Sequence, residues 1–206
     1  MGKPTSGGAG GSGGRQRNAS PESFREFANF NEQEEFERIT RLAQGGLTND
    51  EAEAMREYQD GDYRSINNAL RKGIPSEKSI MFAGTLTGIV ARSILKENII
   101  VHRGWKDATP LIDALANGTI KGMVIDDEAF VSTTTDKQTV NNFSYNAYGA
   151  TAPAARFRLR ARAGLKAYSV PGAGESEFLF QRNSRIRITK AELVNGILLV
   201  EGDIEQ

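Results

Sequence analysis

The hydrophobic period changes near the middle of this chain, and that change restricts the fold more than any other feature. Up to about residue 97 the apolar positions recur at helical spacings between capping signals. Ser20-Pro21 reads as an N-cap followed by proline at the first helical position, and Phe24, Phe27, Phe36, Ile39 and Leu42 follow at mixed helical spacings. Gly45-Gly46 is the stop. Thr48-Asn49-Asp50-Glu51 is a capping-box pattern that predicts a second helix, and further helices are expected over roughly Asp62 to Lys72 and Glu77 to Lys96. Beyond that point the period falls to two. Ala155 to Ala161 alternates strictly, with Phe157, Leu159 and Ala161 on one face and Arg156, Arg158, Arg160 and Arg162 on the other. Strands are also expected at Asn98 to Arg103, Ala129 to Thr133, Phe178 to Phe180, Arg185 to Thr189 and Ile197 to Val200. Thr109 to Ala116 reads as a short helix, and Asp136 to Tyr145 as a helix or ordered loop. Helices first and strands afterward predict an α+β fold.

The 206 residues suffice for one domain with some length left over. Met1 to Asn18 is rich in Gly and Ser, too polar to offset its chain entropy by burial. The expected organisation is a flexible tether over residues 1–19 and one folded domain over 20–206. Lys plus Arg and Asp plus Glu both total 26, so the formal charge is zero. That balance argues against a nucleic-acid binder or a membrane-surface protein. The absence of cysteine removes disulfides, thiolate nucleophiles and cysteine zinc sites, and a single histidine, His102, removes a multi-histidine metal site. No apolar leader precedes the polar start, and the run Ile80 to Leu95 is broken by Gly84, Gly88, Arg92 and polar residues. A soluble chain without a signal peptide is expected.

Three short segments carry chemistry. In Val101-His102-Arg103-Gly104, an arginine ends an apolar strand beside a glycine. A planar guanidinium fork suits phosphate oxygens, and glycine lets a ligand approach the backbone. An arginine that simply faces water is the alternative. In Phe130-Val131-Ser132-Thr133-Thr134, a hydroxyl could hold a carboxylate in place, or the threonines could satisfy local backbone. In Gly174-Glu175-Ser176-Glu177, two carboxylates two residues apart on an extended segment point the same way, toward one pocket or toward solvent.

Arg, then Ser-Thr-Thr after an aromatic, then Glu-x-Glu, in this order, resembles the Arg-Ser-Glu class of mono-ADP-ribosyltransferases, with its Glu-x-Glu motif. That class includes clostridial binary toxins and many bacterial and bacteriophage effectors. The resemblance extends over Ser20 to Gln206. Tyr63 to Arg71 looks like the helix before the family's catalytic core, Glu97 to Val101 like the lead into its first strand, and Asp127 to Phe130 like the lead into its serine. Two departures stand out: Thr134 replaces the usual serine, and Thr135 to Gly149 holds Lys137 but no arginine.

The resemblance implies NAD⁺ as substrate, no metal, and an α+β fold with N-terminal helices packed on a mixed or antiparallel two-sheet core. Arg103 would hold the NAD⁺ pyrophosphate, Gly104 the nicotinamide amide through its backbone, and Phe143 would stack on nicotinamide. Ser132 would fix the rotamer of Glu177, which would stabilise the oxocarbenium-like ribose. Glu175 would orient and deprotonate an acceptor guanidinium. The expected partner is a host protein bearing the acceptor arginine, met in the cytoplasm of a target cell by a monomeric domain, without membrane or nucleic-acid binding. The alternatives are an NAD⁺ glycohydrolase using the same groups, or a binding module that kept the fold and lost turnover.

Overall fold

Capping side chains set where the helices begin. Thr48 accepts from the backbone of Glu51 while the Glu51 carboxylate accepts from the Thr48 N–H, so helix α2 (Asn49–Glu57) opens on a complete capping box. The computed structural model describes residues 22–144, 153–172 and 176–206. Helix α1 (Phe30–Gln44) starts later than the sequence suggested, because Asn29 is its cap and accepts from Glu32 N at 3.0 Å. Ser20 and Pro21 lie outside the described residues, and residues 22–28 are not helical. Arg25 instead bridges Ile99 in parallel, with Arg25 N to Asn98 O and Ile100 N to Arg25 O both at 2.9 Å. Strand backbone needs partners, and this segment supplies them. Phe27 and Phe36 are buried with ring centroids 4.8 Å apart, whereas Ile39 and Leu42 are exposed.

A π-helical turn over Tyr58–Asp62, with Gly61 at φ 125°, joins α2 to α3 (Tyr63–Lys72). Helix α4 (Glu77–Arg92) ends before the expected Lys96. Its downstream residues pair as extended backbone, Leu95 N with Leu165 O and Ala167 N with Ser93 O at 2.9 Å. Helices α5 (Thr109–Ala116) and α6 (Thr139–Ser144) lie between strands.

The strands are β1 (Ile99–Trp105), β2 (Val124–Asp126), β3 (Val131–Thr134), β4 (Ala154–Ala161), β5 (Ala167–Ser169), β6 (Glu177–Phe180), β7 (Arg185–Val194) and β8 (Ile197–Glu205). They form one mixed eight-stranded order, β2-β7-β8-β4-β1-β3-β6-β5. Among these paired strands of the described residues, only β4 and β8 run parallel. The order has a narrow waist: β1 and β3 share the register pair His102↔Thr134. On either side of it lie two blades, β2-β7-β8-β4-β1 and β3-β6-β5. Helices preceding a mixed sheet make the chain α+β, as its period change implies.

Two cores flank the strands, and the first is shared by both blades. Val131, Phe157, Leu159, Phe178 and Phe180 pack with Phe36 of α1 and Leu111 of α5. Phe130 and Leu179, one position along, face the helices α2 to α4 and pack near Met55, Ile66 and Leu86. Full burial of each such side chain contributes about 2–3 kcal/mol. Two of the arginines that alternation turns outward on β4, and Arg162 just beyond it, are cross-linked. Arg158 pairs with Glu26 at 2.7 Å, Arg160 with Asp203 at 2.6 Å and Arg162 with Glu22 at 3.0 Å. Asn195 and Gly196, at φ 50° and 77°, close the β7–β8 hairpin as a type I′ turn favours. Among the described residues no helix is long and apolar enough to cross a membrane.

Candidate active site

The edge of β1 is used in three ways along its length. Its first residues pair with the Arg25 segment, His102 pairs with Thr134, and Arg103 and Gly104 then open onto a cavity of about 430 Å³. Phe130, Ser132 and Glu177 form one wall, and Tyr58, Tyr63, Asn67 and Arg71 from the helices form the other. Tyr63, Asn67 and Arg71 recur every four residues, which places them on one face of α3. The cavity therefore sits where the two blades part, roofed by the helical layer.

Alternation also decides which residues of β3 and β6 reach it. Ser132 lies two residues from Phe130, and Glu177 two residues from Leu179, so both share the face of the helix-side core. The register pairs Ser132 with Leu179 and Thr134 with Glu177, leaving Ser132 and Glu177 diagonal neighbours. The Ser132 hydroxyl donates to Glu177 Oε1 at 2.5 Å. A charge-assisted bond of this kind fixes the carboxylate rotamer.

The adjoining threonines hold the backbone on either side. Thr133 Oγ1 donates to Phe178 O at 3.0 Å, and Thr134 Oγ1 accepts from Asp136 N at 2.9 Å. The Thr134 hydroxyl thus fixes the turn that follows β3. Thr135 N donates to Ser176 O at 3.1 Å, pinning the residue before Glu177. Ser176 has φ 49°, a left-handed conformation that non-glycine residues seldom adopt. Behind Thr135, buried Gln33 of α1 donates to its carbonyl at 3.1 Å.

Arg103 crosses the gap between the blades. Its Nη1 donates to Ser132 O at 3.0 Å and its Nη2 approaches Asp127 Oδ2 at 3.5 Å. Burial lowers its pKa, and the carboxylate of Asp127 opposes that shift. Asp127 also receives Arg71 through Nε and Nη2, both at 2.9 Å. The Tyr58 hydroxyl is pushed up by burial and then by the charge of Glu177, so it stays protonated. Asn67 Nδ2 donates to Tyr58 at 3.3 Å, while Asn67 Oδ1 is buried without a protein partner. An unpaired buried acceptor on a cavity wall suits a ligand donor.

Of the residues singled out in sequence, Arg103, Gly104, Ser132 and Glu177 come together around the cavity. Glu175 lies outside the described residues. Phe143 falls on α6, and its side chain is likewise outside them. Asn67, Arg71 and Asp127 stood in sequence only within segments that carry the resemblance, with no role of their own, and Tyr58 was not singled out. The fourfold spacing from Tyr63 was a usable signal for Asn67 and Arg71. Asp127, in an acidic loop, gave none. Among the described residues no group of three or more His, Cys, Asp or Glu side chains is placed to hold a metal ion.

Comparisons with known proteins agree with this architecture. The profile of the ADP-ribosyltransferase exoenzyme family matches residues 28–203. The fold is similar to a C3 ADP-ribosyltransferase from Clostridium botulinum, with TM-score 0.74, 16% identity, and coverage of 90% of this chain and 100% of that one. It is similar to the C3 exoenzyme of Clostridium limosum, with TM-score 0.72, 18% identity, and coverage of 90% and 98%. It is also similar to the ADP-ribosyltransferase Vis from Vibrio splendidus, solved in complex with agmatine, with TM-score 0.67, 20% identity, and coverage of 85% and 84%. No curated protein matches the chain. With nearly its whole described length inside the family profile, and with the same fold as these enzymes, the chain belongs to the ADP-ribosyltransferase exoenzyme family.

Proposed function

We propose that this ADP-ribosyltransferase takes ADP-ribose from NAD⁺ and transfers it to an arginine side chain of a host protein, releasing nicotinamide. One observation carries the reading: Ser132 holds the Glu177 carboxylate at 2.5 Å on a cavity that Arg71 and Arg103 also line. A dianionic diphosphate fits beside the guanidiniums, and the ribose then lies toward the carboxylate. The backbone at Gly104 accommodates the nicotinamide amide, and Phe143 is retained as its stacking partner.

The bond from the nicotinamide nitrogen to ribose C1′ breaks, and its electron pair leaves with nicotinamide. Positive charge develops on the ribose, as in glycoside cleavage. The fixed Glu177 carboxylate stabilises that charge. A guanidinium nitrogen of the acceptor then bonds to C1′, and its proton passes to Glu175, which this reading assigns as the acceptor's base. Glu175 is the basis for choosing arginine, since a carboxylate both binds a guanidinium and accepts its proton. The complex of the Vis enzyme with agmatine, itself a guanidine, supports this choice. In the same reading residues 20–206 are the catalytic domain and 1–19 its tether.

A paired assay tests the acceptor. NAD⁺ labelled in its adenylate half is incubated with agmatine, and nicotinamide release is followed in parallel without acceptor. Labelled agmatine is expected from the wild type. Glu175→Gln is expected to lose most of that product while keeping much of the NAD⁺ cleavage. Equal loss in both assays contradicts the arginine assignment.

A further inference from the structure

Arg71 and Arg103 reach the cavity from different elements, α3 and β1, and a third element holds them together. Asp127 lies in the loop between β2 and β3, behind the two guanidiniums, with its side chain 13% exposed. Its carboxylate takes Nε and Nη2 of Arg71 at 2.9 Å and Nη2 of Arg103 at 3.5 Å. It also accepts from Ala129 N at 3.1 Å, which fixes it to the loop backbone. Both arginines line the cavity.

We propose that Asp127 is a positioning residue for the diphosphate of NAD⁺, setting the spacing and orientation of Arg71 and Arg103; this rests on the NAD⁺-dependent reading above. Two guanidiniums side by side repel, and a carboxylate between them removes most of that cost. The cluster keeps one net positive charge, so it still attracts a dianion. The contact from Arg71 is side-on, through Nε and Nη2, so Asp127 does not engage its Nη1. Arg103 is likewise oriented by Ser132 O and Asp127 together.

The exposure of Arg71 separates this role from a structural one. The Arg71 side chain is 40% exposed, and ion pairs that open to solvent add little to stability. Their loss should appear in substrate affinity first.

The experiment measures nicotinamide release against NAD⁺ concentration for the wild type, Asp127→Asn, Asp127→Glu, Arg71→Gln and the double variant Asp127→Asn/Arg71→Gln. Asp127→Asn is expected to raise KM about tenfold or more while kcat stays within about threefold. Arg71→Gln should do the same, the double variant should be no more than about twofold worse than the worse single, and Asp127→Glu should recover part of the loss. A KM within about twofold of wild type in Asp127→Asn overturns the proposal, as do single effects that multiply in the double variant. Should Asp127→Asn fail to fold, Arg71→Gln decides alone: an unmoved KM overturns it. Wild-type protein that releases no nicotinamide contradicts the NAD⁺ reading and this proposal together. An active wild type with unmoved KM contradicts this proposal only.

Discussion

Ser132 and Glu177 are 45 residues apart in sequence, and the hydroxyl of one donates to the carboxylate of the other at 2.5 Å. The contact follows from antiparallel register. β3 and β6 pair Ser132 with Leu179 and Thr134 with Glu177, so the two side chains are diagonal neighbours on the face turned to the helices. Ser132→Ala removes the donor and frees the Glu177 rotamer. The expected result is a fall in kcat for nicotinamide release of roughly 10- to 100-fold, with a small change in KM. Melting temperature should barely move. Wild-type kcat in this variant would show that Glu177 needs no help from Ser132.

The register of the larger blade can be tested at Gly202. A Cβ there would stand 2.6 Å from the Arg187 carbonyl oxygen and 3.3 Å from Leu159 Cδ2. The neighbour is backbone of β7 next to a register shift between Ile188 and Lys190, so it cannot simply rotate away. Gly202→Ala should lower unfolding free energy by about 1–3 kcal/mol, read from the urea midpoint. An unchanged midpoint would contradict the pairing of β7 with β8 at this point.

His102 provides a pH dependence of stability. Burial pushes its pKa down from 6.5 to about 4, with Arg158 and Lys137 adding to the shift and Glu26 and Asp136 opposing it. The unfolded chain therefore takes up this proton before the folded one does. The contribution is complete above the unfolded pKa and is lost as pH falls from about 6.5 toward 4. Between pH 7 and pH 5 the loss is about 2 kcal/mol. In His102→Gln the drop in unfolding free energy over that interval should shrink by this amount. Parallel pH profiles for variant and wild type would contradict a neutral buried imidazole.

The parts legible in sequence were those with a local physical cause. The Thr48–Glu51 capping box and the alternation of Phe157, Leu159 and Ala161 depend on residues a few positions apart, and the structure contains both. Arg103, Gly104, Ser132 and Glu177 converge as their order in the chain suggested. What escaped reading depends on distant partners. Phe24 and Phe27 have helical spacing, yet their segment is drawn out by the open edge of β1. Val124–Asp126 and Ala167–Ser169 are strands of three residues, too short to show a period. The outward arginines of β4 and Arg162 just beyond it gave no hint that Glu22, Glu26 and Asp203 would meet them. Asp127 was equally silent, because its partners come from α3 and β1.

In the proposed function the negative charge of Glu177, held by Ser132, drives cleavage of the bond between nicotinamide and ribose. The direct measurement is nicotinamide released from NAD⁺ by wild type and by Glu177→Gln, at saturating NAD⁺ and matched melting temperature. Glutamine keeps the shape and an acceptor for Ser132 and loses only the charge. Steady release by the wild type and a fall of about 100-fold or more in the variant are expected. Release by Glu177→Gln at a rate near wild type would contradict this role of Glu177.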